Sequence, residues 1–157
     1  MTPDMFLSNA VRPALLLLPE KMRSEEAARL LVAIALQESQ LNYRQQIGGP
    51  ARGFLMWELP QVGLVLRHDV VGPLARDVLA ALVYTEGSSP HESIHDAMQH
   101  NDILQCAFSR LLLWPDAAPL PKQSDVQGSL ATYLRVWRPG RPHPEKWPAN
   151  WASAWLP

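Results

Sequence analysis

The sequence predicts an all-α protein, an orthogonal helical bundle with at most one small β-hairpin or extended loop. Apolar residues make up 47 % of the 157 residues and charged residues only 18 %, which is typical of a folded protein with a sizeable core. Segments with helical spacing recur along the chain, and most of its 15 prolines fall between them. Because no internal repeat or low-complexity segment interrupts this pattern, we expect residues 1–157 to form one domain.

Two helices are predicted in the first forty residues. Thr2 is a suitable N-cap for a first helix that runs towards Leu18 and is interrupted near Pro13. Ser24 is the predicted N-cap of a second helix, and two glutamates follow it where the helix dipole favours negative charge. The segment Ala27–Gln37 is rich in Ala and Leu, so this second helix is the clearest helical pattern in the chain.

The remaining elements follow a glycine-rich break. Gly48, Gly49 and Pro50 end regular structure, and residues 53–57 are expected to form a short strand or an extended loop. Further helices are then predicted, of which two begin at the N-caps Asn101 and Ser124. Their approximate ranges are Val62–His68, Pro73–Tyr84, Ser89–Gln99, Asp102–Trp114, 124–137 and Trp147–Trp155.

Charge and cysteine content give no overall indication of nucleic-acid binding and no possibility of a disulfide within the chain. The formal net charge is -1, so no overall basic character indicates nucleic-acid binding. Residues 135–147 hold four basic side chains and one acidic side chain, which fits either a solvated proline-rich end or a surface for an anionic polymer. A DNA-binding or regulatory function would depend on this segment alone. Cys106 has no second cysteine to pair with and lies among apolar neighbours, so we expect a buried, inert thiol.

No targeting or membrane segment is predicted. The apolar run Ala14–Leu18 is too short for a signal peptide and lacks a basic region before it, and no stretch approaches transmembrane length. If the target lies outside the cytoplasm, we expect another component to deliver the protein.

The position of Glu38 indicates chemistry. Leu31, Ile34 and Ala35 lie seven, four and three residues before it, so all four share one face at helical spacing. A carboxylate on an apolar helix face loses hydration, which raises its pKa towards the range that suits a general acid near neutral pH. The negative end of the helix dipole acts in the same direction. The alternative is that Glu38 accepts a hydrogen bond from a backbone amide or a nearby arginine.

A glycine-containing segment after this helix extends the pattern. Gln37–Asn42, which contains the pair Glu-Ser, is followed by Gly49–Met56. This order resembles the lytic transglycosylases and their goose-type lysozyme relatives, with a further likeness to small phage-encoded proteins. The resemblance implies a lysozyme-like fold, α+β at most, with Glu38 as the catalytic acid/base and Ser39 as its partner. It places Gly53 in the second family motif, where a residue without Cβ lets the backbone approach a sugar chain.

A third segment supports the resemblance, and two positions depart from it. Ala131–Tyr133 is similar to the start of a later family motif, Ala-Tyr-Asn, so Tyr133 is expected near the catalytic carboxyl. Met56 stands where the family has glutamine and Leu134 where it has asparagine. Those amides contact the saccharide or the catalytic centre in the family. Their loss favours the alternative of a catalytically inactive lysozyme-like protein that serves in binding or virion assembly.

The resemblance implies cleavage of the β-1,4 bond between N-acetylmuramic acid and N-acetylglucosamine in a peptidoglycan strand. One carboxyl group suffices for a transglycosylase, whereas a hydrolase would need a second, for which Glu58 is the first candidate and Asp69 a weaker one. No cofactor or metal is expected, because the closely spaced pair His91 and His95 lies in a polar stretch typical of a solvated helix face. A phage holin or virion would be the route to the cell wall, and the oligomeric state is left open.

Several residues around these motifs are expected to bind the glycan. Aromatic rings next to the motifs offer stacking faces, although tryptophans more often fill a core. Arginines near the motifs are suited to carboxylates on the strand, although surface ion pairs are the alternative for them. The candidates are Arg52, Gly53, Phe54, Met56, Trp57, Trp137 and Arg138.

Overall fold

Two helices that are buried on nearly every face, α3 and α7, form the centre of the structure. The computed structural model describes residues 1–84 and 90–156, and 63 % of these described residues are helical. The helices are α1 (Pro3–Phe6), α2 (Arg12–Leu16), α3 (Glu25–Ser39), α4 (Leu59–Arg67), α5 (Val71–Ala81), α6 (Pro90–Ala97), α7 (Asp102–Leu113), α8 (Val126–Trp137) and α9 (Trp147–Ala154). Within the described residues, β structure is limited to two isolated bridges. The prediction of an all-α protein is therefore confirmed.

Helix α3 packs most extensively on the C-terminal helix α9, and also contacts α1 and α7. Its positions from Leu30 to Leu36 are all buried, as expected for a helix that is apolar on every side. The Ser24 hydroxyl accepts the N–H of Ala27 at 3.1 Å, so the predicted N-cap is confirmed. The helix ends where Gln40 and Leu41 both adopt the left-handed conformation, and this turns the chain into the next loop.

The first helix, predicted to run towards Leu18 with an interruption near Pro13, is interrupted directly before Pro13 and then continues. A π-helical turn, Leu7–Val11, lies between α1 and α2, and the N–H of Arg12 bonds to the carbonyl of Leu7. The proline ring lacks an N–H and would crowd the carbonyl four residues earlier, so a wider turn directly before it relieves the conflict. The Thr2 side chain accepts the N–H of Met5, which confirms that predicted cap.

Other predicted boundaries differ by a few residues. The N-cap of α8 is Asp125 and not Ser124, because the Asp125 carboxylate accepts the N–H of Gly128 at 2.8 Å. Helix α4 begins three residues earlier than predicted, and α5 begins two residues earlier and ends at Ala81. The predicted start of α6 at Ser89 lies outside the described residues.

Residues 53–57, expected to form a short strand or an extended loop, form a turn within the loop after α3. Arg52 and Trp57 exchange backbone hydrogen bonds of 2.9 and 2.8 Å, and the four residues between them form the turn. Gly53 has a φ of 74°, and a Cβ there would lie 2.7 Å from the carbonyl oxygen of Met98, so glycine is required by both backbone and space. Among the described residues, no helix has the length and apolar character needed to cross a membrane.

Candidate functional site

Glu38 lies in the last turn of α3, half-buried at the wall of a cleft. Burial raises the pKa of its carboxyl from 4.5 to about 7, and the negative charge of Glu58 acts in the same direction. A hydrogen bond from Tyr133 lowers this pKa without cancelling the effect of burial. The carboxyl is therefore protonated in a large fraction of molecules at neutral pH, as the position of Glu38 on an apolar helix face predicts.

Tyr133 on α8 is the hydrogen-bond partner of Glu38. Its hydroxyl donates to Glu38 Oε1 at 2.6 Å across 95 residues of sequence. The ring is buried and stacks on Trp147, with centroids 4.8 Å apart and an interplanar angle of 15°. Trp147 in turn donates from Nε1 to the Ser129 hydroxyl at 2.9 Å. Burial and the adjacent Glu38 charge raise the pKa of Tyr133, so the phenol remains a hydrogen-bond donor. One oxygen of the catalytic candidate is thereby held in a fixed direction.

Ser39 joins the end of α3 to the loop that follows it. Its hydroxyl is buried and lies 2.8 Å from the carbonyl oxygen of Phe54 and 3.1 Å from that of Ala35. The same oxygen accepts the N–H of Leu41 at 3.2 Å. These contacts make Ser39 a positioning residue, since it fixes the loop relative to the helix that carries Glu38.

The loop is also attached to the central helix α7 and to α8. The N–H of Leu55 donates to Gln105 Oε1 at 3.0 Å, and Trp57 Nε1 donates to the Ser109 hydroxyl at 2.9 Å. From α8, Trp137 Nε1 donates to the carbonyl of Leu55 at 3.0 Å. The loop is thus held on three sides, and the cleft wall that it forms is fixed.

The cleft beside Glu38 has a volume of about 540 Å³ and is lined mostly by polar side chains. The loop after α3, the start of α4, the end of α8 and the segment after α8 form its walls. Its lining includes Gln37, Glu38, Tyr43, Gln45, Gln46, Ile47, Met56, Glu58, Gln61, Tyr133, Trp137, Arg138, Arg141 and His143.

A second hollow of about 440 Å³ adjoins this cleft. Glu58, Gln61, Trp137 and Arg138 line both, so the two hollows form one groove. The second hollow has an apolar floor that includes Leu111. The two hollows together offer more space than either one alone.

We compared the chain with protein-family models, curated proteins and solved structures. None of the three comparisons finds a match. The geometry of the groove is therefore the observation that bears on function.

The structure brings some of the predicted site residues to the groove and leaves others away from it. Glu38, Tyr133, Glu58, Met56 and Trp137 line it. Met56 adopts a φ of 48°, which is uncommon for a residue with a side chain. Glu58 is exposed and is the N-cap of α4, where its backbone N–H donates to Gln61 Oε1 at 2.8 Å.

The other residues that were predicted to bind substrate contact the core or their own loop. Gly53, Phe54 and Trp57 are buried and do not line the groove, and the two rings pack in the core. Arg52 donates to the carbonyl of Pro50 at 2.7 Å and lies 3.9 Å from the Asp96 carboxylate. None of these four predicted substrate-binding residues lines the groove.

The histidines of α6 also differ from prediction. His95 is buried, and its Nε2 lies 2.7 Å from the carbonyl oxygen of Trp57, so this part of α6 is not a solvated face. Within residues 1–84 and 90–156, no group of three potential ligands is placed to hold a metal ion. Asp69, the weaker candidate for a second carboxylate, does not line the groove.

Sequence reasoning missed several groove residues. Gln37 precedes Glu38, yet its contacts are with residues more than 100 positions away, and no local pattern reveals them. Tyr43 and Ile47 are 52 % and 80 % exposed at the edge of the cleft. Large apolar residues in a loop rich in glutamine and glycine were the signal that could have identified these two.

Proposed function

We propose that this protein cleaves the β-1,4 glycosidic bond between N-acetylmuramic acid and N-acetylglucosamine in peptidoglycan. The observation that supports the proposal is the Glu38 carboxyl, whose pKa of about 7 and position in an open groove suit a general acid acting on a polymer. The sequence order of the Glu-Ser pair, the glycine segment and Tyr133 points to the same chemistry. The helices would then have the orthogonal arrangement of a lysozyme-like fold.

The reaction requires one carboxyl group that first gives and then accepts a proton. Glu38 donates its proton to the glycosidic oxygen, the bond from C1 to that oxygen breaks, and N-acetylglucosamine leaves with a free 4-hydroxyl. The carboxylate then removes the proton of the C6 hydroxyl of muramic acid, and O6 bonds to C1. The product is a 1,6-anhydro sugar, no water is consumed, and Glu38 ends protonated as it began.

Tyr133 has a defined part in this scheme. Its hydrogen bond occupies Oε1 of Glu38, so we assign the proton transfers to Oε2. The bond also stabilises the carboxylate formed after the first step, because a phenol donates more strongly to a charged oxygen than to a neutral one. Tyr133 would thereby keep the pKa of Glu38 near neutrality and not higher.

Glu58 provides the basis for a hydrolytic variant of the reaction. Its carboxylate lines the same groove and its charge raises the pKa of Glu38. An exposed carboxylate there can activate a water molecule, and attack of that water on C1 would give a reducing end. The first scheme is preferred because it needs only the buried, hydrogen-bonded carboxyl group.

Met56 favours a second candidate function, a lysozyme-like protein that binds glycan or serves in virion assembly without cleaving it. Its thioether lines the cleft at the position where the resembling family has an amide. Leu134, the second departure, is 37 % exposed and does not line the groove. Gln46 and Gln61 bring side-chain amides to the groove from other positions.

Clearing of purified cell walls by the wild-type protein and by Glu38→Gln separates these functions. We expect the wild type to reduce turbidity and Glu38→Gln to lose nearly all activity. Because the preferred scheme needs no second carboxylate, Glu58→Gln should retain most of the wild-type activity. Clearing by Glu38→Gln would rule out the mechanism. Wall binding without clearing by the wild type would favour the non-enzymatic function. In cells, action at the wall would require delivery, for which a phage holin or virion is the proposed route.

A further inference from the structure

A basic segment lines part of the cleft that contains Glu38. Arg138, Arg141 and His143 line the cleft that contains Glu38, and we call these three residues the basic wall. All three are exposed. In the part of the chain that the structure describes, neither Arg138 nor Arg141 forms an ion pair with a carboxylate. Their positive charges are therefore available to a molecule in the groove.

The basic wall is attached to the helix that carries Glu38. The side-chain amide of Gln37 donates to the carbonyl oxygens of Pro142 and His143, at 2.6 and 3.0 Å. Asn150 on α9 donates to Gln37 Oε1 at 2.8 Å and completes the attachment. Because Gln37 is the residue directly before Glu38, the segment after α8 has a fixed place beside the candidate acid.

Arg138 lies where the two hollows of the groove meet. It ends α8 in the left-handed conformation, with a φ of 51°, and its Nε donates to the carbonyl of Arg135 at 3.2 Å. Arg138 lines both the cleft of Glu38 and the adjoining hollow. A strand that occupies the whole groove must therefore pass Arg138.

We propose that the basic wall binds the carboxylates that muramic acid residues carry on their lactyl arm, and so selects peptidoglycan over neutral glycans. This inference rests on the proposed function and specifies its substrate class. A chain of N-acetylglucosamine alone is uncharged, whereas each lactyl arm ends either in a carboxylate or in a peptide that carries carboxylates. Guanidinium groups pair with carboxylates through two parallel hydrogen bonds.

The groove also contains acidic residues, whose repulsion of an anionic ligand the basic wall would offset. Glu58 is exposed in the groove, and Glu38 becomes charged above neutral pH. Both would repel an anionic strand, while the two arginines of the same cleft offset that repulsion. Each exposed charge pair is worth about two- to fivefold in affinity, so loss of both arginine charges is expected to weaken binding roughly tenfold.

Binding to the full-length Glu38→Gln protein tests the proposal without interference from cleavage. Dissociation constants are measured by fluorescence, with Trp137 in the groove as reporter, for three probes. These are a neutral chito-oligosaccharide, glycan strands stripped of peptide by an amidase, and soluble strands that retain their peptides. The tested variant, Arg138→Gln with Arg141→Gln, removes both charges and keeps side chains of moderate length. Arg67→Gln with Lys122→Gln is the matched control, since both positions are exposed outside the groove.

We expect the tested variant to bind both anionic strands about tenfold more weakly, with unchanged affinity for the chito-oligosaccharide and no effect in the control. A loss on both anionic strands supports the proposal, since the stripped strand offers the lactyl carboxylate and the other strand offers carboxylates of its peptide. A loss confined to peptide-bearing strands would overturn the assignment to the lactyl carboxylate. Replacement of both arginines by lysine should restore part of the affinity. Equal weakening for all three probes, or for none, would overturn the proposal.

A second measurement does not depend on the variant's folding. The unmodified groove should bind anionic strands more weakly as salt rises from 0.05 to 0.5 M, whereas binding of the neutral probe should stay constant. Salt-independent binding of the anionic strands would contradict the proposal. Because these are binding measurements, a protein that binds but never cleaves would refute the proposed enzymatic function and leave this inference intact.

Discussion

Replacement of Glu38 by glutamine should stabilise the folded protein at alkaline pH. The carboxyl has a pKa of about 7 in the folded state, against an ordinary value of 4.5. Below pH 4.5 the group is protonated in both folded and unfolded chains, so it does not affect the balance between them. Between pH 4.5 and 7 the unfolded chain releases this proton while the folded protein keeps it, so the free energy of unfolding falls as the pH rises. Above pH 7 the folded protein also holds the poorly hydrated charge, and the loss is complete. At about 1.4 kcal/mol per pH unit over the roughly 2.5 units between the two pKa values, the loss reaches at most about 3.5 kcal/mol.

Urea unfolding from pH 4 to pH 8.5 measures this effect. Glutamine removes the charge and keeps an oxygen that can accept the Tyr133 hydroxyl. We expect the Glu38→Gln protein to be about 2–3 kcal/mol more stable than the wild type at pH 8.5 and nearly equal to it at pH 4. In thermal melts the gain at high pH corresponds to roughly 5–10 °C for a chain of this size. Glu58→Gln, which alters an exposed carboxylate, is the control and should show no comparable gain. If the wild type and Glu38→Gln have parallel stability curves, Glu38 is not held in a poorly hydrated state.

Three further substitutions test the contacts around Glu38. Tyr133→Phe removes a hydrogen bond that lowers the pKa of Glu38. The alkaline limb of the pH–activity profile on cell walls should therefore move up by about one pH unit. A downward or absent shift would contradict the part assigned to Tyr133. Glu58→Gln removes a charge that raises the same pKa, so the limb should move to lower pH, and an upward shift would exclude this electrostatic coupling. Ser39→Ala removes the hydroxyl that donates to the buried carbonyl of Phe54, so the free energy of unfolding in urea should fall by about 1–3 kcal/mol. Ser8→Ala, at an exposed position, is the control. Equal stability of the two variants would show that Ser39 does not hold the loop.

The sequence was sufficient to predict the helix that carries Glu38. Ser24, the two glutamates after it and the Ala- and Leu-rich run all favour a helix locally, and the observed element Glu25–Ser39 agrees. The N-cap of α8 was predicted one residue too early. Ser124 and Asp125 are both suitable caps and lie side by side, and only the structure shows that the Asp125 side chain bonds to the backbone. The interruption of the first helix near Pro13 was predictable from the proline, but its form, a π-helical turn over Leu7–Val11, was not.

The groove itself was harder to predict from sequence. Trp57 was selected because it adjoins the glycine segment, yet its indole donates to Ser109 in the core, 52 residues away. Arg52 was selected on the same ground and bonds to its own loop. Proximity in sequence to a motif does not determine which side of a tight turn a side chain occupies. Gln37 and the basic wall depend on contacts between α3, α9 and the segment after α8, which only tertiary structure reveals.

Mass spectrometry of cell-wall fragments released in ¹⁸O-labelled water tests the central claim most directly. If Glu38 is the single acid and base, the wild type should release 1,6-anhydro muropeptides without ¹⁸O, and Glu38→Gln should release none. Reducing ends that carry ¹⁸O would show that water attacks C1 and that a second group takes part. Anhydro products from Glu38→Gln would contradict the assignment of the reaction to this side chain.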